Sequence, residues 1–186
     1  MTHGRGGPKR WIMGSVAERV LRHCSAPVLL GNANASPRTS REIKKILVPL
    51  DGSEHAASVL ELVARLARSL GAEVVLFRAA WVDPTNNMLA YAREADALRA
   101  GLKAELEGLA EPLRRDGLTV TSRVALDYPA EAILKATELS GSDLIAMTTH
   151  GRSGLKRWLL GSVAEKVLRA SPCPVLLVRV PSDKLR

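Results

Sequence analysis

Apolar and polar positions along the 186-residue chain switch between two rhythms. From Ile43 to Leu50 the chain is largely apolar, which reads as a buried strand ended by the turn Asp51-Gly52-Ser53. Between Ser53 and Leu70 the apolar residues fall at Val59, Leu62, Val63, Leu66 and Leu70, a helical period that Gly71 stops. Glu73 to Ala80 reads as a second strand and Asp83 to Asn87 as a turn-rich loop. A long helix follows from Met88 to Asp116, with Leu98, Leu102, Leu106, Leu109 and Leu113 on one face. Gly117 breaks it, and Leu118 to Leu126 alternates as a third strand. Pro129 marks a helix start with Asp127 as the expected cap, and that helix ends near Leu139. Asp143 to Thr148 is the fourth strand, Ser162 to Arg169 a helix, and Pro174 to Val180 the fifth strand. Apolar strands alternating with helices predict an α/β fold, a parallel sheet covered on both faces.

A repeat organises the rest. Residues 2–30 align without a gap on residues 149–177, with roughly two positions in three identical. Residues 1–31 therefore read as the tail of another copy: a loop, a helix carrying Val16, Val20 and Leu21, and a strand from Pro27 to Leu30. Residues 32–41 are a polar, Pro-containing linker, residues 42–181 the complete copy and residues 182–186 a tail. A lone helix and strand cannot bury their own apolar side chains. Val28 to Leu30 is expected to pair antiparallel with the exposed edge Val175 to Val178, within the chain or across a homodimer.

Composition narrows the function. Aromatic residues make up 3% of the chain, so the core must be aliphatic and no stacking surface for single-stranded nucleic acid is legible. The formal charge is +8, but residues 1–41 carry seven Lys/Arg against one acidic residue, while residues 42–186 carry twenty against eighteen. The basicity belongs to the N-terminal segment, which disfavours nucleic acid as the partner of the main domain. No apolar run reaches the roughly 18 residues of a membrane span, and no signal-peptide core opens the chain, so the reading is cytoplasmic. Two cysteines, Cys24 and Cys173, are too few for a disulfide scaffold or a structural zinc site.

The chemistry concentrates between Met147 and Val163. There a strand ends, a loop carries Gly151, Arg152, Gly154 and Lys156, and Gly161-Ser162 opens a helix. Glycine-freed N–H groups and a helix N-terminus form the usual cradle for an anion. Ser162 to Glu165 also fits a capping box, so local sequence leaves open a phosphate cradle or a plain helix start. Neither G-x-x-x-x-G-K-[ST] nor a strand followed by G-x-G-x-x-G occurs, which excludes the P-loop and the dinucleotide fingerprint. His150 has no nucleophile or acid at a recognisable spacing and reads as a loop-stabilising residue. No catalytic or metal-ligating set is expected.

The segment resembles the nucleotide loop of the universal stress protein family: Gly, two residues, Gly, nine residues, then Gly-Ser or Gly-Thr. Gly151, the nine residues Arg152 to Leu160, and Gly161-Ser162 fit, while Thr148 stands at the first glycine. The resemblance extends from about Glu42 to Val180. It implies a Rossmann-like sheet of five parallel strands in the order 3-2-1-4-5, of the adenine nucleotide α-hydrolase-like type, with its site where that order reverses. It also implies a set of nucleotide-binding residues. Asp51, with Pro49 before it, meets the adenosine; Ala79 offers backbone to adenine; Met147 and Thr148 line the ribose and phosphates. Gly151, Gly161, Ser162 and Val163 cradle the triphosphate, and Arg152 and Lys156 are added here on charge and position. The other reading of Asp51 is a helix cap, as Asp before a helix often is.

Three functions follow from these residues. The first is an ATP-binding stress-response sensor or regulator, with or without Mg2+. The second is an interaction module of the same family with an empty crevice, an alternative that Thr148 keeps open. The third is an enzyme limited to slow ATP hydrolysis, ranked last because no base or paired carboxylates are visible.

Overall fold

The computed structural model describes residues 19–21, 24, 26–31, 42–81, 88–149 and 160–179, the side chains of 88–91 excepted. Its strands are β1 (Val28–Leu30), β2 (Lys45–Pro49), β3 (Glu73–Ala80), β4 (Val120–Leu126), β5 (Leu144–Thr148) and β6 (Val175–Val178). Its helices are α1 (Glu54–Ala57), α2 (Val59–Leu70), α3 (Met88–Arg115), α4 (Pro129–Ser140) and α5 (Ser162–Ala170). They form one six-stranded sheet in the order β1-β6-β5-β2-β3-β4.

The sequence predicts five parallel strands, and here the structure differs. The five expected strands, β2 to β6, keep the order 3-2-1-4-5 and pair in parallel. The sixth, β1, adds to the edge of β6 antiparallel, in the register Val28↔Leu177, Leu29↔Leu176, Leu30↔Val175. The cause is the edge itself: β6 is apolar and would otherwise leave a row of backbone groups open. β1 half-buries Val28 and Leu30 and turns Leu29 outward, 58% exposed. Pairing within the chain is thus one of the two arrangements expected of this strand.

Side chains alternate across the sheet and build two aliphatic layers. Ile46, Val48, Val74, Leu76 and Leu144 pack with Val59, Val63 and Ala67 of α2 and with Leu106 and Ala110 of α3. Leu47, Val75, Phe77, Ile145 and Leu177 pack with Ile133 and Ala136 of α4 and with Val167 and Leu168 of α5. Leu21, from the N-terminal segment, is 4% exposed and joins this second layer. At the amino end of the sheet, one Asp143 carboxylate oxygen accepts from the N–H groups of Lys44 and Lys45, tying β2 to β5.

The long run expected as one helix from Ser53 to Leu70 is two. Ser53 caps α1 by accepting from the Ala56 N–H, and Ser58 is at once the C-cap of α1 and the N-cap of α2. The residue starting α4 also differs. Tyr128, not Asp127, is its N-cap; the Asp127 carboxylate instead accepts from the neighbouring Tyr128 N–H at 2.7 Å. Among the described residues no helix is long and apolar enough to cross a membrane.

Candidate functional site

The β2–β5 ladder is short: it consists of Ile46↔Leu144 and Leu47↔Ile145. On its other side β2 stays paired with β3 up to Pro49↔Phe77. Beyond Leu47 and Ile145, therefore, β2 and β5 separate, because their chains leave the sheet in opposite directions, one toward α1 and the other toward α5. The crevice rule for open parallel sheets places a ligand at this reversal. A cavity of about 290 Å³ lies there. Its apolar walls include Phe77 from β3, Met147 from β5, and Pro129 and Ile133 from α4.

Of the eleven residues named from the sequence, Pro49, Asp51, Ala79, Met147, Thr148, Gly161, Ser162 and Val163 all line this one cavity. Gly151 and Arg152, with Lys156, lie outside the described residues. The sequence did not single out Leu50, Ala56, Phe77, Pro129, Ile133, Thr149 and Ala164, which complete the lining. Part of that set was readable: Phe77 is two residues before Ala79 on one strand face, and Pro129 and Ile133 are one helical turn apart.

Asp51 sits where the chain leaves β2. Its Oδ1 accepts from the Ser53 N–H at 3.0 Å and from the Ser53 hydroxyl at 2.6 Å, while Ser53 caps α1. Asp51 is therefore not a helix cap but the brace of one, and its side chain is half-buried at the cavity. Gly52, next to it, has φ +83°, and a Cβ there would collide with the guanidinium of Arg78. Arg78 is 6% exposed and its ion pair reaches Glu105 on α3 at 3.6 Å. A buried cation thus lies directly beneath the Asp51–Ser53 turn.

The opposite wall is the start of α5. Gly161 is its N-cap, with extended backbone and no side chain to accept from the first turn, and Ser162 is the first helical residue. The capping-box reading of Ser162 fails for that reason; Glu165 pairs with Arg169 at 3.3 Å instead. The first N–H groups of any helix have no intrahelical acceptor. Those of Ser162, Val163 and Ala164 belong to this class, and all three residues line the cavity. The helix dipole adds favourable potential for an anion at that point. The Gly161 N–H itself donates to the Thr149 carbonyl at 2.8 Å, joining the two ends of the glycine-rich segment.

Thr148 is the last residue of β5, paired with Val178 and 6% exposed. Its backbone is extended, so the absence of glycine there carries no conformational cost, and the residue lines the cavity. Among the described residues no group of three His, Cys, Asp or Glu side chains could hold a metal ion.

Known proteins share this architecture. The model of the universal stress protein family matches residues 1–30 and 42–179. The universal stress protein YxiE of Bacillus subtilis is 34% identical over 145 residues, covering 73% of this chain and 98% of its own. The universal stress protein Rv2005c of Mycobacterium tuberculosis is 29% identical over 182 residues, 95% of this chain but 59% of that protein. The solved structure of MJ0577 from Methanocaldococcus jannaschii superimposes with a TM-score of 0.68 at 32% identity, covering 76% of this chain and 99% of that one. A universal stress protein solved in complex with cAMP shares the fold, with a TM-score of 0.58 at 21% identity over 75% of this chain and 98% of its own. On the family match and these relatives, the chain belongs to the universal stress protein family.

Proposed function

We propose that this is a cytoplasmic, adenine-nucleotide-binding regulator of a stress response, with ATP as its ligand. The observation that supports this most is the single cavity bounded by Asp51 on one side and the N-terminus of α5 on the other. A nucleotide spans such a distance with its polar ends apart. Its ribose meets a carboxylate acceptor, its phosphates meet N–H groups and a helix dipole, and its base meets the apolar wall of Phe77, Ala79 and Ile133. The related fold solved with cAMP adds an adenine nucleotide precedent for the architecture. Mg2+, where present, would travel on the phosphates. Residues 1–31 are read as the C-terminal part of a first domain of the same family, with 42–181 the complete domain, in keeping with the two separate matches to one family model.

Titration calorimetry with ATP on the purified chain tests the reading. A Kd near micromolar, about −8 kcal/mol, is the expected result. Folded protein that takes up neither ATP nor ADP would instead place the chain in the interaction-module branch, with the Thr148 side chain as the obstructing group.

A further inference from the structure

Phe77 and Ala79 line the cavity from one face of β3; Val74, Leu76 and Arg78 alternate with them on the other. Val74 and Leu76 belong to the aliphatic layer that the sheet builds with α2 and α3. Arg78 continues their row and is 6% exposed. Burying a guanidinium, which keeps its charge at any ordinary pH, costs free energy that an aliphatic side chain in the same row would not. The core gives no reason for an arginine at this position. The turn that crosses it does.

The β2–β3 ladder ends at Pro49↔Phe77, and the Leu50 N–H still donates to the Phe77 carbonyl at 2.8 Å. The chain then leaves the sheet through Asp51 and Gly52, against Arg78. Gly52 has φ +83°, and the guanidinium fills the space that a Cβ would take there. On one side of Gly52, Asp51 lines the cavity; on the other, Ser53 donates to the Asp51 carboxylate and caps α1. Away from the turn, Arg78 Nη2 lies 3.6 Å from Oε2 of Glu105, whose side chain is 60% exposed on α3. A line of contact thus runs from the surface of α3, through a buried cation, to the carboxylate at the cavity.

We propose that Arg78 is a positioning residue for the ligand: its guanidinium is the floor on which the Asp51-Gly52-Ser53 turn rests, and Glu105 steadies it from α3. The inference rests on the nucleotide reading above and adds a supporting residue to that site. Arg78 does not line the cavity and acts through Gly52. Glycine has the widest backbone freedom of any residue, so a turn built on it needs an external support to hold one geometry. Without that floor the Asp51 carboxylate samples more positions, and fixing it costs affinity when the ligand binds.

Titration calorimetry with ATP on the full chain decides the matter, for the parent, Arg78→Met, Asp51→Ala, the two combined, and Glu105→Ala. Arg78→Met should lose about tenfold in ATP affinity, the lower end of what a charge-assisted hydrogen bond contributes. The combined variant should bind no more weakly than Asp51→Ala alone, because the floor matters only while the carboxylate is there. Glu105→Ala should lose about twofold, as suits a half-exposed pair. Circular dichroism and thermal melting establish that each variant is folded. A folded Arg78→Met that binds ATP like the parent overturns the positioning role alone, as do losses from Arg78→Met and Asp51→Ala that multiply in the combined variant. Where Arg78→Met does not fold, Glu105→Ala carries the test, and an unchanged Kd in it overturns the role. A parent that binds no ATP overturns the nucleotide reading and this inference with it.

Discussion

Asp51 and Ser53 form a closed unit: one carboxylate oxygen of Asp51 accepts both the backbone N–H and the hydroxyl of Ser53. The same side chain lines the cavity, so in the proposed reading ligand contact and loop brace share Asp51. Asp51→Ala is expected to weaken ATP binding by tenfold or more, since a charge-assisted acceptor contributes about 1.5–3 kcal/mol. It should also lower unfolding free energy by about 1 kcal/mol, through the loosened cap of α1. Calorimetry and urea denaturation separate the two effects; an intact Kd in a destabilised protein would assign Asp51 to the loop alone.

Gly52 is fixed twice, by φ +83° and by the Arg78 guanidinium occupying the space of a Cβ. Gly52→Ala therefore should cost at least about 1–2 kcal/mol from backbone strain alone, with the displacement of a buried cation in addition. A melting temperature within a degree of the parent would show that the turn and Arg78 adjust together.

Glu107 on α3 accepts from Arg114 at 2.6 Å and pairs with Lys103 at 3.0 Å. The Arg114 hydrogen bond, then that of Lys103, lowers its pKa from 4.5 to about 2. A depressed carboxylate contributes stability that is complete above the unfolded value and lost as pH falls through the folded one. The window is thus from about 4.5 down to about 2. The Glu107 side chain is 38% exposed, so solvent screening limits the contribution to less than about 1 kcal/mol. Acid denaturation of Glu107→Gln, compared with the parent, should show a shallower loss of stability across that window and no difference in its slope above pH 5.

Deleting residues 1–41 removes β1 and the buried Leu21 while leaving strands β2 to β6 and all the described cavity residues in place. The shortened chain should remain folded and keep its nucleotide affinity. Its β6 edge, now open, should drive association that light scattering detects as a larger mass or reduced solubility. A soluble monomer would show that β6 tolerates exposure without its cover.

The periodicities carry the fold well: the stop at Gly71 coincides with a left-handed C-cap, and the β2-to-β6 order is the one implied by the family resemblance. What the sequence obscured was local hydrogen-bond competition. Ser53, Asp51, Asp127 and Ser162 are all good caps by residue type, and only the chain's path decides which oxygen reaches an N–H. Ser53 caps, Asp51 braces it, Asp127 bonds its neighbour, and Ser162 is already inside its helix. Thr148 was a departure from the family pattern in sequence; extended backbone at the end of β5 removes the conformational half of that concern. The cavity's apolar wall was hidden for a different reason. Phe77 and Ile133 are buried core residues, and only the parting of β2 from β5 makes them, with Pro129, the wall of a cavity as well.

The hydrogen bond from Gly161 to the Thr149 carbonyl knots the two feet of the segment between them. The bond thus holds the start of α5 against the end of β5 by backbone atoms alone. For this protein, heredity can therefore change the side chain of Thr149, a residue of the cavity wall, without cutting the tie between β5 and α5, and a change in that wall need not begin with a loss of foldability.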